Sequence, residues 1–369
     1  MTVLHVVGTR PNFMKASPVW RGLAAADVPQ ELVHTGQHYD AALSDSFFAV
    51  LELPAPQHHF GIGSGTHAEQ TAAVMVAMDA LLASRHAAAV VVYGDVNSSA
   101  AAALTAVKRG VPVVHVEAGL RSRDRSMPEE HNRVVIDHLA DLLLTPSRDG
   151  DANLIAEGIP PERIVFAGNT MVDSLLRHVD EAARRGAPAR FGLERGRYVL
   201  VTLHRPALTD DPELLAGAAA SLRALARSLP VIFPAHPRTR ARLEAQGLLA
   251  ALERDCLVTA PLDYVDSLSL QRDAAAVLTD SGGIQEETTI LGTPCFTLRD
   301  NTERPITVTE GTNTLLGLRP ERIAELPALL ADAPAEAASP EGWDGRAGER
   351  CAAAIARLLV PAAPAPVTA

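Results

Sequence analysis

The chain has 369 residues, of which 47% are hydrophobic and 21% charged, a composition typical of a globular protein with room for two domain cores. Its formal net charge of −11 argues against a nucleic-acid backbone or an anionic membrane as the main partner. The 3 cysteines have no paired spacing, and no apolar run reaches membrane-spanning length. Because no basic leader precedes the first apolar segment, we expect a cytoplasmic protein.

Apolar runs and helical patterns alternate along the chain, which predicts a parallel sheet covered by helices on both faces. In the first half, strands are predicted at 2–7, 31–34, 88–93, 111–116, 141–145 and 164–166, and helices at 12–25, 67–83, 100–108 and 134–140. Residues 184–197 are rich in Arg, Gly and Pro and are predicted to be a linker. In the second half, strands are predicted at 198–203, 231–233, 256–259, 274–278 and 294–298, and helices at 211–228 and 344–359, before a disordered tail at 361–369. We therefore expect two doubly wound α/β halves with a ligand cleft between them.

One stretch, residues 279–305, has the pattern of an anion site. An apolar strand runs into Asp-Ser-Gly-Gly, where Ser281 can cap the next helix and Gly282 can let its free N–H groups approach a ligand. Farther on, Glu287 can accept hydrogen bonds from sugar hydroxyls and Arg304 can pair with phosphate. The same residues also fit an ordinary strand-to-helix turn, so this stretch alone leaves both interpretations open.

Three carboxylates form the second candidate group. Asp95 and Glu117 each follow a strongly apolar strand, and Glu129 follows a Met-Pro pair with Arg133 one helical turn beyond. Carboxylates gathered at one sheet edge repel one another, which moves some of their pKa values into the range useful for acid/base chemistry. Each of them alone also fits a helix cap or a salt bridge.

Two smaller groups complete the candidates. Arg10 follows the first strand and Lys15 lies in the first turns of the next helix, where they can bind phosphate or form a salt bridge. His204 follows the first strand of the second half and is either structural or catalytic. The sequence contains no metal-ligand spacing, no G-x-S-x-G and no G-x-G-x-x-G after the first strand, which argues against a metal site, a serine hydrolase and an NAD enzyme.

A set of motifs runs in order along almost the whole chain: GTRPNFMKASPV, TGQHYD, YGDVNS, HVEAGLRSRDRSMPEEHNR, GNTMVDSL, VTLHR, PLDY, LTDSGGIQEE and RDNTERP followed by GT. Together these motifs resemble one family, the non-hydrolysing UDP-N-acetylglucosamine 2-epimerases. The resemblance implies a GT-B-like fold of two Rossmann-like doubly wound domains facing across a cleft. Residues 1–172 would carry the acid/base groups and 173–343 would bind UDP, with the helix at 344–359 packing back on the first domain.

The resemblance also implies a reaction and its residues. The family inverts carbon 2 of UDP-N-acetylglucosamine by anti elimination of UDP and re-addition through a 2-acetamidoglucal, giving UDP-N-acetylmannosamine. It is a cytoplasmic isomerase of cell-envelope polysaccharide biosynthesis, dimeric, with a UDP-sugar as partner and no metal or NAD. The implied catalytic residues are Asp95, Glu117, Glu129 and His204, and the implied substrate-binding residues are Arg10, Lys15, Arg133, Ser281, Gly282, Glu287 and Arg304.

The chain departs from the family pattern in two places, and three alternative functions stay open. Residues 206–208 are Pro-Ala-Leu where many members have Arg or Gln and then Glu-Asn. Gln37 and His38 are present, but Asp40 stands where members activated by a second UDP-sugar have Gln, so activation is not predicted. The alternatives are a 2-epimerase of a related UDP-2-acetamido sugar, such as a diacetamido-uronic acid, a GT-B glycosyltransferase, and a catalytically silent nucleotide-sugar sensor.

Overall fold

The computed structural model describes residues 2–36, 48, 50–331 and 339–360. The chain divides into two compact units, with Met1–Ser174 and Glu341–Ala369 in unit 1 and Leu175–Pro340 in unit 2. Among the described residues, no helix combines the length and the apolar character that a membrane crossing requires. The predicted tail at 361–369 lies outside the described residues.

Unit 1 is built on a parallel sheet with the strand order β3-β2-β1-β4-β5-β6-β7. Its strands are β1 (Thr2–Val7), β2 (Gln30–His34), β3 (His58–His59), β4 (Ala87–Tyr93), β5 (Val113–Val116), β6 (Leu142–Thr145) and β7 (Ile164–Phe166). Its helices are α1 (Arg10–Ala25), α2 (His67–Ser84), α3 (Asn97–Lys108), α4 (Pro128–Leu139), α5 (Arg148–Ala156) and the first part of α6 (Thr170–Arg185), with a 3₁₀ turn at Pro161–Arg163. The central strand β4 is buried on both faces from Ala89 onward, as its continuous apolar run predicts.

Unit 2 repeats this plan with the strand order β10-β9-β8-β11-β12-β13, again parallel. Its strands are β8 (Val199–Thr202), β9 (Val231–Pro234), β10 (Leu257–Thr259), β11 (Ala276–Thr279), β12 (Cys295–Thr297) and β13 (Asn313–Leu315). Its helices after α6 are α7 (Ala187–Arg190), α8 (Pro206–Thr209), α9 (Pro212–Leu225), α10 (Pro237–Ala245), α11 (Leu249–Asp255), α12 (Tyr264–Asp273), α13 (Gly282–Leu291), α14 (Ile306–Thr309) and α15 (Leu326–Ala331), with a 3₁₀ segment at Pro320–Glu325. Side chains of the strands and of α9 form its main core.

The last helix, α16 (Ala347–Leu359), packs against α1 in unit 1. The two helices approach closely because both carry glycine at the contact: a Cβ at Gly348 would lie 2.6 Å from backbone and side-chain atoms of Pro18. The carboxylate of Asp173, in α6, accepts the N–H groups of Ala347 (3.1 Å) and Gly348 (2.7 Å). Asp173 therefore satisfies two of the free N–H groups at the start of α16.

The linker prediction and one helix boundary differ most from the structure. The predicted linker at 184–197 contains the end of α6 and all of α7, and the Ala187 N–H donates to Ser269 Oγ (3.1 Å), so this segment packs within unit 2. The helix predicted at 134–140 begins earlier, at Pro128. Its first turn carries Pro and two glutamates, which favour a helix N-terminus but give no apolar periodicity.

Candidate active site

The strand order places a topological switch point between β1 and β4 in unit 1, where the chain leaves the two neighbouring strands towards opposite edges of the sheet. Ligands of such sheets bind outside the carboxyl ends of the strands at this point. Asn12 ties the two strand ends together: its Oδ1 accepts the N–H groups of Gly8 (3.0 Å) and Thr9 (3.1 Å), and its Nδ2 donates to the Tyr93 carbonyl (2.8 Å). Arg10, the first residue of α1, is exposed beside this connection.

Lys15 and Glu117 form a buried ion pair at this edge of the sheet. Lys15 comes from α1, and Glu117 follows β5 directly. Gly94 leaves room for the pair, because a Cβ at its position would lie 2.7 Å from Glu117 Oε2 and 2.8 Å from Lys15 Nζ. The glycine after β4 is therefore required by the ion pair and by its own positive φ of 57°.

The backbone of Glu117 is strained. Its φ is +72°, a left-handed conformation that is rare for a residue with a side chain. Its N–H donates to the Leu144 carbonyl of β6 (3.0 Å), which holds this conformation. Strain of this kind persists only where the surroundings fix it, and it concentrates at functional sites.

Asp95, after β4, contacts Arg133 of α4, whose guanidinium is almost completely buried. Arg133 also donates to Glu130 from Nε (3.1 Å) and Nη2 (2.8 Å). Burial works to raise the pKa of Glu130, but hydrogen bonds from Ser122, Arg133 and Arg123 outweigh it, so this pKa is lowered. Arg133 thus links two carboxylates, one at the strand end and one in its own helix.

Glu129 and Glu130 are neighbours with different environments. Glu130 is buried and accepts the backbone N–H groups of Ser122 (2.9 Å) and Arg123 (2.8 Å). Glu129 is half-buried in the first turn of α4, and its side chain makes no hydrogen bond or ion pair within the described part of the chain. The structural role in this pair therefore belongs to Glu130, which the sequence analysis did not single out, and Glu129 stays available for other contacts.

Unit 2 has its own switch point between β8 and β11, and the residues after these two strands contact each other. His204 Nδ1 lies 3.0 Å from Asp280 Oδ1, and Asp280 Oδ2 accepts the N–H groups of His204 and Arg205, each at 2.8 Å. Burial works to raise the pKa of Asp280, but the contacts with His204 and the backbone outweigh it, so the pKa of Asp280 is lowered. The ionised Asp280 orients the half-exposed His204 ring, with its Nε2 on the far edge.

Ser281 occupies the position before the first residue of α13, but its side chain makes no capping hydrogen bond. The predicted cap is therefore wrong, although the predicted helix start is correct. Gly282 begins the helix, and a Cβ there would lie 2.5 Å from Arg304 Nη1 and from Glu303 Oε1. The start of α13 is in direct contact with a charged cluster.

Glu303 is the carboxylate of this cluster. It contacts Arg304, and its Oε2 lies 2.7 Å from Arg299 Nη2, while Arg205 Nη2 lies 3.8 Å from its Oε1. Burial works to raise the pKa of Glu303, but the charges of Arg304, Arg299 and Arg205 outweigh it and hold this pKa well below its usual value. Arg304 also contacts Glu286 (2.8 Å). The three arginines of this cluster outnumber its two glutamates at the N-terminal end of α13, and the excess positive charge favours an anion.

Glu287, in the middle of α13, is buried and accepts a hydrogen bond from Gln271 Nε2 (2.7 Å). Burial raises the pKa of Glu287 to about 7, against the opposing hydrogen bonds from Gln271 and Tyr264. Its carboxyl group therefore changes charge near neutral pH. Perturbed pKa values of this kind are common at functional sites.

The sequence-predicted residues thus form separate groups within each unit. In unit 1, Lys15 with Glu117 and Asp95 with Arg133 lie at the carboxyl ends of β4 and β5. Sequence reasoning missed Asp280 and Glu303, although Asp280 directly follows an apolar strand. Gln37, His38 and Asp40, which bear on activation, lie outside the described residues. The described part of the chain contains no group of three or more His, Cys, Asp or Glu residues placed to hold a metal ion.

Residues 22–356 match the family model described as UDP-N-acetylglucosamine 2-epimerase. The chain belongs to this family. The UDP-N-acetylglucosamine 2-epimerase of Methanocaldococcus jannaschii is 39% identical over 366 residues, 97% of this chain and 99% of the relative. The UDP-2,3-diacetamido-2,3-dideoxy-D-glucuronate 2-epimerase of Pseudomonas aeruginosa is also 39% identical, over 329 residues, 88% of this chain and 91% of the relative.

The fold agrees with a solved member of the family. The crystal structure of the M. jannaschii enzyme in complex with UDP-GlcNAc and UDP matches with a TM-score of 0.90 and 38% identity, covering 97% of this chain and 100% of that one. This match confirms the predicted GT-B-like α/β class, with two Rossmann-like units. The family model and the relatives confirm the resemblance that the sequence motifs carry. The chain is therefore an epimerase, and epimerases are isomerases.

Proposed function

We propose that this chain interconverts UDP-N-acetylglucosamine and UDP-N-acetylmannosamine by inverting carbon 2 of the sugar. The observation that carries the proposal is the grouping of ionisable side chains at the β4 and β5 ends in a chain of this family. Asp95 and Glu117 bring two carboxylates to adjacent strand ends, and each is paired with a cation, Arg133 or Lys15. Carboxylates are among the side chains that remove and return protons as general bases and acids.

The reaction runs through an elimination and a re-addition. A base takes the proton from carbon 2, the bond between carbon 1 and the UDP oxygen breaks with its electron pair leaving on UDP, and a carbon 1–carbon 2 double bond forms. In the return step the UDP oxygen bonds to carbon 1 while an acid delivers a proton to the other face of carbon 2. Two acid/base groups are needed because the proton leaves one face and returns on the other. We assign this chemistry to Asp95, Glu117, Glu129 and His204.

UDP is assigned to the second group of residues. The N–H groups at Ser281 and Gly282, together with Arg304, are suited to the phosphates, and Glu287 to the ribose hydroxyls. Arg10 and Lys15 are assigned to the diphosphate or the sugar, and we include Arg133 among the substrate-binding residues. Donors held in place on the phosphates stabilise the negative charge that develops on the leaving UDP. In this proposal the domain of residues 1–172, with its C-terminal helix, supplies Asp95, Glu117 and Glu129 for the proton chemistry, and residues 173–343 hold UDP and contribute His204.

The assembly we propose is a cytoplasmic homodimer. The cysteines Cys256, Cys295 and Cys351 are buried free thiols, as expected in a reducing compartment. Sedimentation velocity on the purified chain tests the dimer, and a single species of monomer mass at micromolar concentration contradicts it.

A second candidate is the 2-epimerase of a UDP-2,3-diacetamido uronic acid. The P. aeruginosa relative named for that activity is as similar in identity, 39%, as the M. jannaschii enzyme. Both candidates share one reaction and differ only in the sugar. Parallel assays with the two UDP-sugars separate them, since the true substrate will have the higher kcat/KM.

One experiment tests the proposed reaction. The protein is incubated with UDP-N-acetylglucosamine in deuterated water, and the products are followed by NMR. We expect deuterium at carbon 2 and a mannosamine product, because the proton that returns comes from a group in exchange with solvent. Absence of exchange and product with every UDP-2-acetamido sugar tested would rule out an epimerase.

A further inference from the structure

His115, on β5, lies with both ring nitrogens against oxygen atoms. Its ring is completely buried. Nδ1 is 2.6 Å from Asp137 Oδ1 of α4, and Nε2 is 3.0 Å from the Gly94 carbonyl oxygen. A main-chain carbonyl never donates a hydrogen bond, so Nε2 must carry a proton.

Asp137 is held as a carboxylate and therefore also only accepts. Its second oxygen accepts the Gly119 N–H (3.1 Å) and Arg121 Nη1 (2.7 Å). Burial works to raise the pKa of Asp137, but the charges and hydrogen bonds of His115 and Arg121 outweigh it, so this pKa is lowered. Arg121 is itself paired with Glu157, at 2.8 Å and 2.6 Å. Nε2 of His115 therefore donates to the Gly94 carbonyl, and the Asp137 carboxylate holds the ring at Nδ1.

The hydrogen bond from His115 falls on the Gly94 carbonyl, next to the proposed site residues. Gly94 is fixed to β5 twice, since its N–H donates to the Val116 carbonyl (3.0 Å) and its carbonyl accepts from His115. Its Cα lies against the ion pair of Lys15 and Glu117. The peptide that His115 holds is the one that leads into Asp95. The orientation of this single peptide therefore affects the positions of both strand-end carboxylates.

We propose that His115 is a positioning residue for the epimerase reaction: its Nε2–H fixes the Gly94–Asp95 peptide, and Asp137 with Arg121 holds the ring in place. This role rests on the proposed function, because it acts through Asp95 and Glu117. Within the described part of the chain the hydrogen bonds of the buried ring go to Asp137 and Gly94 and not to these carboxylates, so it contributes to catalysis through the backbone of Gly94.

Two conservative variants separate this role from a merely structural one. In His115→Gln the amide nitrogen reaches the position of Nε2, so the donation to Gly94 is kept and that to Asp137 is lost. In His115→Asn the amide nitrogen takes the position of Nδ1, so the donation to Asp137 is kept and that to Gly94 is lost. The two variants each remove one buried hydrogen bond, and only His115→Asn removes the one that holds the Gly94–Asp95 peptide.

We expect His115→Asn to lower kcat by about 100-fold, the size of effect that a displacement of about 1 Å produces, with little change in KM. His115→Gln should stay within about 3-fold of the wild-type kcat, since its remaining hydrogen bond is the relevant one. Thermal unfolding is followed for both. Equal losses of kcat in the two variants, or no loss in either, overturn the proposal.

A measurement that needs no activity tests the geometry separately. Two-dimensional ¹H–¹⁵N NMR of the histidine rings, with His115→Asn used for assignment, should show a proton on Nε2 of His115. A ring with no proton on Nε2 contradicts the hydrogen bond to Gly94 even if the enzyme is active. If no UDP-2-acetamido sugar is epimerised by the wild type but Nε2 carries a proton, the geometry stands while the proposed function and this positioning role fail.

Discussion

Lys15 and Glu117 lie 102 positions apart in the sequence and form one buried ion pair, with only 7% and 6% of their side chains exposed. Burying two charges is costly unless each compensates the other. The stability of the fold and the function of the site therefore depend on the same two groups, because Lys15 and Glu117 are also proposed to act on the substrate.

Replacing Lys15 by Met should destabilise the protein by about 3–5 kcal/mol, because it leaves the Glu117 charge buried without its cation. Adding Glu117→Gln to this variant should restore part of the loss. Urea unfolding of the wild type, the single variant and the double variant measures both effects. Lys108→Met is the control, since Lys108 is exposed and should change stability little. Equal stability of Lys15→Met and Lys108→Met contradicts the prediction.

Glu117→Gln should abolish epimerisation while UDP binding is kept. The amide cannot accept or deliver the carbon 2 proton, but it preserves the shape of the side chain. We expect kcat to fall by at least about 10²–10⁴-fold. Product formation is followed by NMR and UDP binding by isothermal titration calorimetry. The exposed Glu162→Gln serves as the matched control. Epimerisation by the Glu117 variant near the wild-type rate means that this residue is not an acid/base group.

The charge of Glu287 should make stability depend on pH. Because burial raises its pKa from 4.5 to about 7, the folded state binds this proton more tightly than the unfolded state. The resulting stabilisation is complete below pH 4.5 and is lost as the pH rises through 7, a change of about 3 kcal/mol. Denaturant unfolding across this range should show the loss in the wild type but not in Glu287→Gln. The exposed Glu244→Gln should behave like the wild type, and parallel curves for all three proteins would contradict the assignment.

Gly348→Ala should destabilise unit 1 by about 1–3 kcal/mol, because the added Cβ would lie 2.6 Å from the Pro18 backbone and force α16 away from α1. Gly217→Ala is a matched control, also in a helix. There the nearest atom, on Pro320, is 3.4 Å from the added Cβ, and the better helix propensity of Ala should leave stability unchanged or raise it slightly. Thermal unfolding measures the Tm of both variants. An equal Tm would contradict the predicted clash between the added Cβ and Pro18.

The sequence predicts strand ends well because a buried parallel strand is a continuous apolar run that stops abruptly. Asp95, Glu117 and His204 all follow such runs, and the structure places each of them at a carboxyl end in its sheet. Which of these strand ends lie side by side depends on strand order, which the alternation of apolar runs and helical patterns does not give.

The sequence patterns do not predict which side chains contact each other, because these contacts depend on the rotation of each helix and on the local backbone conformation. No local pattern distinguishes Glu129 from Glu130, and only the family resemblance selects Glu129, yet the rotation of α4 gives the hydrogen bonds to Glu130. Ser281 has the residue type of a helix cap and the correct position, but it makes no capping bond. The contact of His115 with Asp137 joins residues 22 positions apart on different elements, which no local pattern encodes.

The docking of α16 on α1 has a consequence for synthesis. Unit 1 needs the segment after Glu341, including the helix that Asp173 caps, yet all of unit 2 is made before that segment. Domains usually fold in order of their emergence from the ribosome. Here the first unit to begin is the last to be completed, so a truncated chain that ends at Ser174 should expose the apolar face of α1 and bind chaperones or aggregate.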